Sequence, residues 1–450
     1  MRLQLTPRVF SRPSYGLPEQ ACLNVFAEET PHGLAFLPRP PLAARAQVGT
    51  GPIRGVFRQK GVFAGSTFAV SGRELYRGTT LVGPIDGSSM VRWAASDSQL
   101  VVVDPGTGKA WWYNGQHLRR IGDADLPPVI DCKILSSRAF FAQKDSGQLW
   151  FSALAEVTDV DGLAFFTAES GPDRNVALEV IGNELAVFGQ ETTEFWAAAG
   201  DANAPLVFSR KYDVGCGAQA SVLQLDHHLF WLGDQRRVYA SAGDAPTRIS
   251  TPTIEEQLRL AGDGLEAATA FPIIRDGQGF YGLNIPGRGT FVFNVQGHGW
   301  TQWASHARAL LRVSCGAMSG GEPYLGDDED GVIWTFGEAQ QLDGATRIPH
   351  KVSAFLDNPG RPQRVPAITL KAVMGQGAHT TPEAELRVSR DRGRTWEPWQ
   401  SRSLGGQGEY DLKATWRRLG MVDTRGLVIE VRHSENIVSA MLGLELEARP

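Results

Sequence analysis

The stretch ELAVFGQETTEFWAA, residues 184–198, decides the reading of this chain. An apolar run, a polar turn and a second run with alternating apolar residues closing on an aromatic describe two half-buried strands joined by a hairpin. The same unit recurs in TFAVSGRELYRG, LVVVDPGTGKAWWYNG, RAFFAQKDSGQLWFS, HLFWLGDQRRVYAS, GFYGLNIPGRGTFVFNV and EPYLGDDEDGVIWTFG. Its closing aromatics are Tyr76, Tyr113, Trp150, Trp196, Tyr239, Phe293 and Trp334, spaced on average 43 residues apart. A period of about 40 to 50 residues built from short strands is that of a propeller blade.

A strand precedes each hairpin, as in PIRGVFRQ and VALEVIG, and a fourth follows in HLRRIG, LVFSRKYD or PTRIST. Four strands make one blade. A small sheet buries both faces only by stacking on neighbours around a ring, so the recurring aromatics are expected between blades. The fold class is therefore all-β, a β-propeller of six or seven blades over residues 51–345. Residues 252–261, with Thr253 three positions before Glu256 as in a capping box, predict one short inserted helix.

Beyond residue 345 strands continue, as AITLKAVMG, AELRVSRD, GLVIEVRHS and SAMLGLELEA, without the blade template. Residues 346–450 have the size and alternation of a C-terminal β-sandwich. The Pro- and Arg-rich residues 1–50 are expected to form an extended N-terminal arm.

Composition excludes several classes of function. The formal charge is −5 and long basic runs are lacking, which argues against gripping duplex DNA by phosphate neutralisation. Cys22, Cys132, Cys216 and Cys315 are scattered, giving neither a zinc nor a disulfide pattern, and read as four buried thiols in a reducing compartment. The start MRLQLTPRVFSRPSYG lacks the apolar segment of a secretory leader, and apolar runs of membrane-spanning length are missing.

Several stretches imitate active sites and fail on spacing. In DPGTGKAWW, Val103 stands where a phosphate-binding loop needs its first Gly and Ala110 where it needs a hydroxyl, so a hairpin turn is expected. The acidic GDDEDGVIW, with Asp327, Asp328, Glu329 and Asp330, lacks the ligand alternation of a calcium loop and reads as a solvated turn. His227 and His228 are expected on opposite faces of a strand, one toward the core and one exposed.

SRDRGRTW, residues 389–396, fits the Asp-box pattern of sialidases, and Arg347-Ile348-Pro349 echoes a tripeptide near their arginine cluster. Sialidases usually carry one such box per blade. Here it occurs once, outside the repeats, so Ser389, Asp391, Gly393 and Trp396 are read as a structural turn that Trp396 pins to the core. No catalytic residue, cofactor site or metal site is assigned. A propeller glycosidase, or a sialic-acid-binding module, is the alternative.

In sequence order, SRDRGRTW, GEY at 408–410 and WRRLG at 416–420 resemble the packaged DNA stabilisation, or tail accessory hub, proteins of short-tailed bacteriophages. CLNVFAEE, PIRGVFRQKG, GNELAVFGQETTEFWAAAGDANAPLVFSR, HLFWLGDQRRVY and RISTPTIEEQ extend the resemblance over most of the chain, with LPRPPL, residues 37–42, as a local departure. The resemblance implies a non-enzymatic virion protein, assembled in the host bacterial cytoplasm into a homo-oligomeric ring of six copies at the tail. It would sit below the portal and its adaptor ring, close the DNA conduit, and carry tail fibre, spike or needle proteins. DNA would pass an acidic lumen without sequence-specific binding and without membrane insertion by the protein.

Overall fold

A computed structural model describes all residues except 1, 12–16, 32, 168–172, 202, 298, 338–341, 344–345, 359, 378–380, 436, 438 and 450. The repeats fold into blades. Six separate four-stranded sheets comprise residues 53–84, 92–120, 129–167, 175–212, 223–248, and 315–336 with Leu42–Gln47 as outer strand. A seventh four-stranded unit, residues 269–303, shares its sheet with the C-terminal domain. Counting along the chain, these are blades 1 to 7, with the shared unit as blade 6 and the last closed by the N-terminal strand.

The seven recurring aromatics all lie on third strands, where alternation turns large side chains into the gaps between blades. Tyr113 meets Phe68 of blade 1 at 5.8 Å between ring centroids, and Trp196 meets Phe166 of blade 3 at 4.9 Å. Polar locks add to this packing. Arg54 of blade 1 donates to Asp104 of blade 2 at 2.8 Å, with both side chains almost wholly buried.

The helix, Pro252–Ala261, lies between blades 5 and 6 and drives Ile254 and Leu258 into a core with Phe230, Tyr281 and Trp300. The expected capping box does not form. Pro252 takes the first helical position, which places Thr251 at the cap and moves Thr253 inside, where its hydroxyl accepts the Ser11 N–H at 3.3 Å. The helix packs between the two blades.

The C-terminal domain is two packed sheets. One, continuing from Gly299–Trp303, runs through Cys22–Leu23, His350–Leu356, Leu427–His433, Glu383–Ser389 and Gln400–Ser403. The other joins Val25–Thr30, Gly33–Pro38, Met441–Arg449, Gln363–Ala372 and Thr415–Arg417, with Arg2–Leu3 and Met421–Val422 at the side. Their inner faces bury Val25, Phe36, Leu386, Trp416, Ile429 and Leu444 in one core.

The segment expected as an extended arm over residues 1–50 does more than lie on the body. It supplies strands to both sandwich sheets and the outer strand of blade 7, because its apolar residues, such as Val25, Phe36 and Leu42, need partners that only distant segments provide. Leu23 pairs in parallel with Gln302 of blade 6 and antiparallel with Lys351 of the sandwich.

All four cysteines are buried and free, and burial pushes the Cys216 and Cys315 thiols up to about 12 and about 11. A thiolate-trapping reagent is therefore expected to find no reactive thiol in the native protein and four after unfolding. Rapid native labelling would show that the blades open readily.

Candidate functional site

The Asp-box turn is the first candidate, since its pattern is shared with sugar-cleaving enzymes. Glu383–Ser389 ends at Ser389, whose hydroxyl donates to Asp391 Oδ1 at 2.8 Å and accepts the Gly393 N–H at 2.8 Å. The Thr395 N–H and hydroxyl donate to the same carboxylate at 2.8 and 2.6 Å. Gly393 has φ +96°, and a Cβ there would stand 3.3 Å from Glu19, so turn geometry and the close N-terminal segment both favour glycine. The four sequence-predicted positions thus lie in one turn.

Trp396 behaves differently from its expected role. It is half-buried on the outer face of the sheet and stacks against Arg387 at 4.2 Å, while the fully buried tryptophan of the domain is Trp416. Arg387 also covers Trp399 at 4.5 Å, and Arg432 reaches the same ring at 4.0 Å. Ion pairs to Glu430 and Glu385, at 2.6 and 2.7 Å, hold both guanidiniums in register across the strands. Alternation explains the placement: Leu386 and Val388 point inward, so Arg387 and the tryptophans it gathers face out.

The Thr395 donors, with the Ser389 hydroxyl, hold the Asp391 carboxyl down to about 2. A depressed carboxylate pKa supports the fold above its unfolded value and loses that support as pH falls toward about 2. Asp391→Ala removes the acceptor of these bonds and is expected to cost about 1 to 2 kcal/mol in chemical denaturation at neutral pH. No change would mean that solvent satisfies the turn equally well.

The second candidate is the axial cavity of the propeller, about 480 Å³, lined by Arg92, Trp93, Lys133, Glu179 and Gln224. Inner strands of successive blades bring these residues together, which their sequence spacing does not announce. Arg92 Nε meets the buried Asp131 at 2.9 Å, Lys133 Nζ meets Glu179 at 2.9 Å, and Asp131 also accepts the Leu178 N–H of blade 4 at 2.8 Å. Two cations and two carboxylates neutralise one another here and tie three blades together. Both carboxylates are thus engaged by cations, and Asp131 by a backbone donor as well.

The imitation motifs resolve as turns of the blades. DPGTGKAWW is the expected hairpin, with Asp104 accepting the Thr107 N–H at 2.8 Å. GDDEDGVIW departs from a solvated turn: Asp327 is wholly buried and accepts the N–H groups of Glu329 and Asp330 and the indole of Trp334, with Arg312 beside it at 3.0 Å. His227 is exposed and His228 half-buried, and neither faces the core, because Asp226 and His227 form a turn with φ +48° and +62° that breaks the alternation. The Arg347 side chain lies outside the described residues. Among the described residues no group of three or more His, Cys, Asp or Glu gathers to hold a metal, and no helix is long and apolar enough to cross a membrane.

The third candidate, missed in the sequence, is the junction between the domains. Arg39 of LPRPPL is fully buried and donates to Asn24 Oδ1 at 2.9 Å, Pro40 O at 2.9 Å and Ala304 O at 3.0 Å. Asn24 in turn donates to Pro349 O at 2.9 Å and accepts the Ala304 N–H at 2.7 Å. One Asn–Arg pair thereby joins blade 6 to the first strand of the sandwich. An Arg amid prolines carries no pattern that marks it as buried, so only the assembled strands reveal it.

No curated protein matches the chain. Among solved structures, BamB from Moraxella catarrhalis is 10% identical over 66% of this chain and 99% of its own, with a TM-score of 0.40. The Cps50 (Swd1) β-propeller domain of Myceliophteria thermophila is 11% identical over 66% and 100%, with a TM-score of 0.44. The exo-β-1,3-galactanase of Phanerochaete chrysosporium is 8% identical over 81% and 97%, with a TM-score of 0.32. Likenesses this distant carry no functional weight. The family models are different in kind: "Bacteriophage P22 Gp10, beta-propeller" matches residues 24–340 and "Bacteriophage P22 Gp10, beta-sandwich" matches residues 351–448, in the order of the two domains described above. With both domains matched over nearly its whole length, the chain belongs to the family of the phage structural protein Gp10 of bacteriophage P22.

Proposed function

We propose that the protein acts without catalysis as a tail hub of the virion. It assembles in the host cytoplasm as a ring of six copies below the portal and its adaptor ring, where it closes the DNA conduit and retains the packaged genome. Tail fibre, spike or needle proteins attach to it, and DNA passes through without sequence-specific contacts. The observation that carries this reading is the two-domain family match. The build of the chain supports it: an N-terminal segment sewn through both domains and a buried Asn24–Arg39 junction suit a part that transmits force.

Pairing of the axial carboxylates with Arg92 and Lys133 favours this reading over a propeller glycosidase, whose acid and base must be free to exchange protons. A reconstruction of virion tails is the test, with density for this fold expected in a ring at the tail vertex. Turnover of a fluorogenic sialoside, abolished by Asp131→Asn or Glu179→Gln, would replace the proposal with the glycosidase.

A further inference from the structure

The two domains carry opposite charge. Residues 351–450 hold 15 Lys and Arg against 12 Asp and Glu, whereas residues 1–350 hold 29 against 37. The positive excess is not spread evenly. Arg361, Arg364, Arg394, Arg417 and Arg418 are exposed at one end of the sandwich, all arginine and no lysine.

Backbone contacts gather them there. Arg364 is paired in register with Met421, the Arg418 N–H donates to Pro366 O at 2.9 Å, and Arg390, from the Asp-box turn, reaches Met421 O at 2.5 Å. Met421 itself is 52% exposed in the middle of them. Of the acids at this end, Glu397 and Asp423 are taken up by Arg390 and Arg425 at 3.0 and 2.6 Å and Asp391 is bonded within its own turn, while Asp357 and Glu447 are exposed and outnumbered by the arginines.

Blade 3 offers the complement. Between its third strand, Gln148–Phe151, and its fourth, Phe165–Thr167, a connecting segment carries exposed Glu156, Asp159 and Asp161, and Asp125 lies against it, within 3.3 Å of a Cβ built on Gly162. Leu154 and Leu163 stand among them, 64% and 87% exposed. Arg138 lines the same hollow, of about 600 Å³, but donates to Ser152 O at 2.8 Å and lies over the Phe151 ring. An acidic surface with two projecting leucines therefore faces solvent. Large apolar side chains rimmed by charge mark an interaction surface, and the sign of the rim selects the partner.

These surfaces cannot meet within one molecule. The Asp-box turn touches the N-terminal segment at Glu19, and that segment reaches the helix between blades 5 and 6, so blades 4 and 5 separate the arginine end from blade 3. We propose that the arginine end of the sandwich docks on the acidic surface of blade 3 of a second copy of this chain. Two different patches make a heterologous contact, which propagates head to tail into rings. Arginine forks suit carboxylates, and Met421 meets the projecting leucines. This contact rests on the ring proposed above and names the faces that form it.

The test uses two single variants of the full chain, Asp161→Cys and Arg394→Cys, mixed in equal amounts and joined by a short bis-maleimide. The native thiols are all buried and do not compete. The mixed 161–394 product is expected to exceed either homodimer several-fold at low salt, and to fall at least about threefold at about 0.5 M salt, where charge attraction is screened within a few ångströms. A second pair, Glu156→Cys with Arg417→Cys, should behave alike. Products in random proportions, or none, would overturn the contact, as would duplex DNA that binds the arginine end and suppresses the mixed product. A tail reconstruction with these faces apart refutes the contact and leaves the hub intact, whereas absence of the chain from tails refutes the hub.

Discussion

A chain lacking residues 1–47 is expected to show no cooperative unfolding transition. The deletion removes Leu42–Gln47, the outer strand that completes blade 7, and with it the pairing of Ala44 with Trp334. It also removes Cys22–Leu23, which connects the blade 6 sheet to His350–Leu356, and Val25–Thr30 with Gly33–Pro38 from the opposite sheet. Val25, Phe26, Phe36 and Leu42, all at most 5% exposed, leave two separate cores. Each such loss costs about 2 to 5 kcal/mol, and four together approach or exceed the about 5 to 15 kcal/mol by which a domain is stable. Calorimetry and near-ultraviolet circular dichroism provide the measurement. A truncated chain melting cooperatively near the intact protein's temperature would show that the N-terminal strands are accessory.

Mild acid is expected to weaken the sandwich well before its carboxylates titrate. His350 and His433 face each other across adjacent strands, their rings 5.0 Å apart, and neither is more than 2% exposed. Among the described residues, neither ring nitrogen of His350 has a hydrogen-bond partner. Burial holds His433 down to about 4 and His350 well below its ordinary value, the latter helped by His433 and by Arg39 nearby. The outward groups of these strands, Lys351, Glu430, Arg432 and Glu385, are paired with one another or with Arg387 on the opposite face.

The unfolded chain takes up protons near pH 6.5 while the folded one resists them, so stability is full above about 6.5 and falls as pH drops toward about 4. His433 alone accounts for about 3 kcal/mol over that interval. The double variant His350→Leu, His433→Leu is expected to flatten the dependence in urea titrations between these limits. An unchanged slope would place the acid sensitivity elsewhere, and the Asp391 turn cannot mimic it because its carboxyl stays charged down to about 2.

The repeats were legible because local rules specify them. An aromatic on every third strand, hairpin turns at regular intervals and the short helix all follow from residues within one period of one another, although the helix start was misplaced. The Asp-box turn was legible for the same reason: Ser389, Asp391 and Thr395 satisfy one another over seven residues. Trp396 was misjudged, since the choice between core and outer face depends on which side of the sheet the turn leaves, set by neighbouring strands. The blade count of six or seven likewise resolved into six free-standing sheets and one shared with the sandwich, a distinction made by the parallel pairing of Leu23 with Gln302.

What the sequence determined by itself was the kind of blade and the order of the two domains, because alternation and turn chemistry act over a few residues. Only the tertiary structure decided how the ring closes and where charge collects. Leu42–Gln47 meets Val332–Phe336 across nearly three hundred residues of chain, and five exposed arginines from three separate segments converge on one end of the sandwich. Strand pairing between distant segments leaves no spacing in the sequence, since its energy comes from surfaces that exist only once both partners have folded.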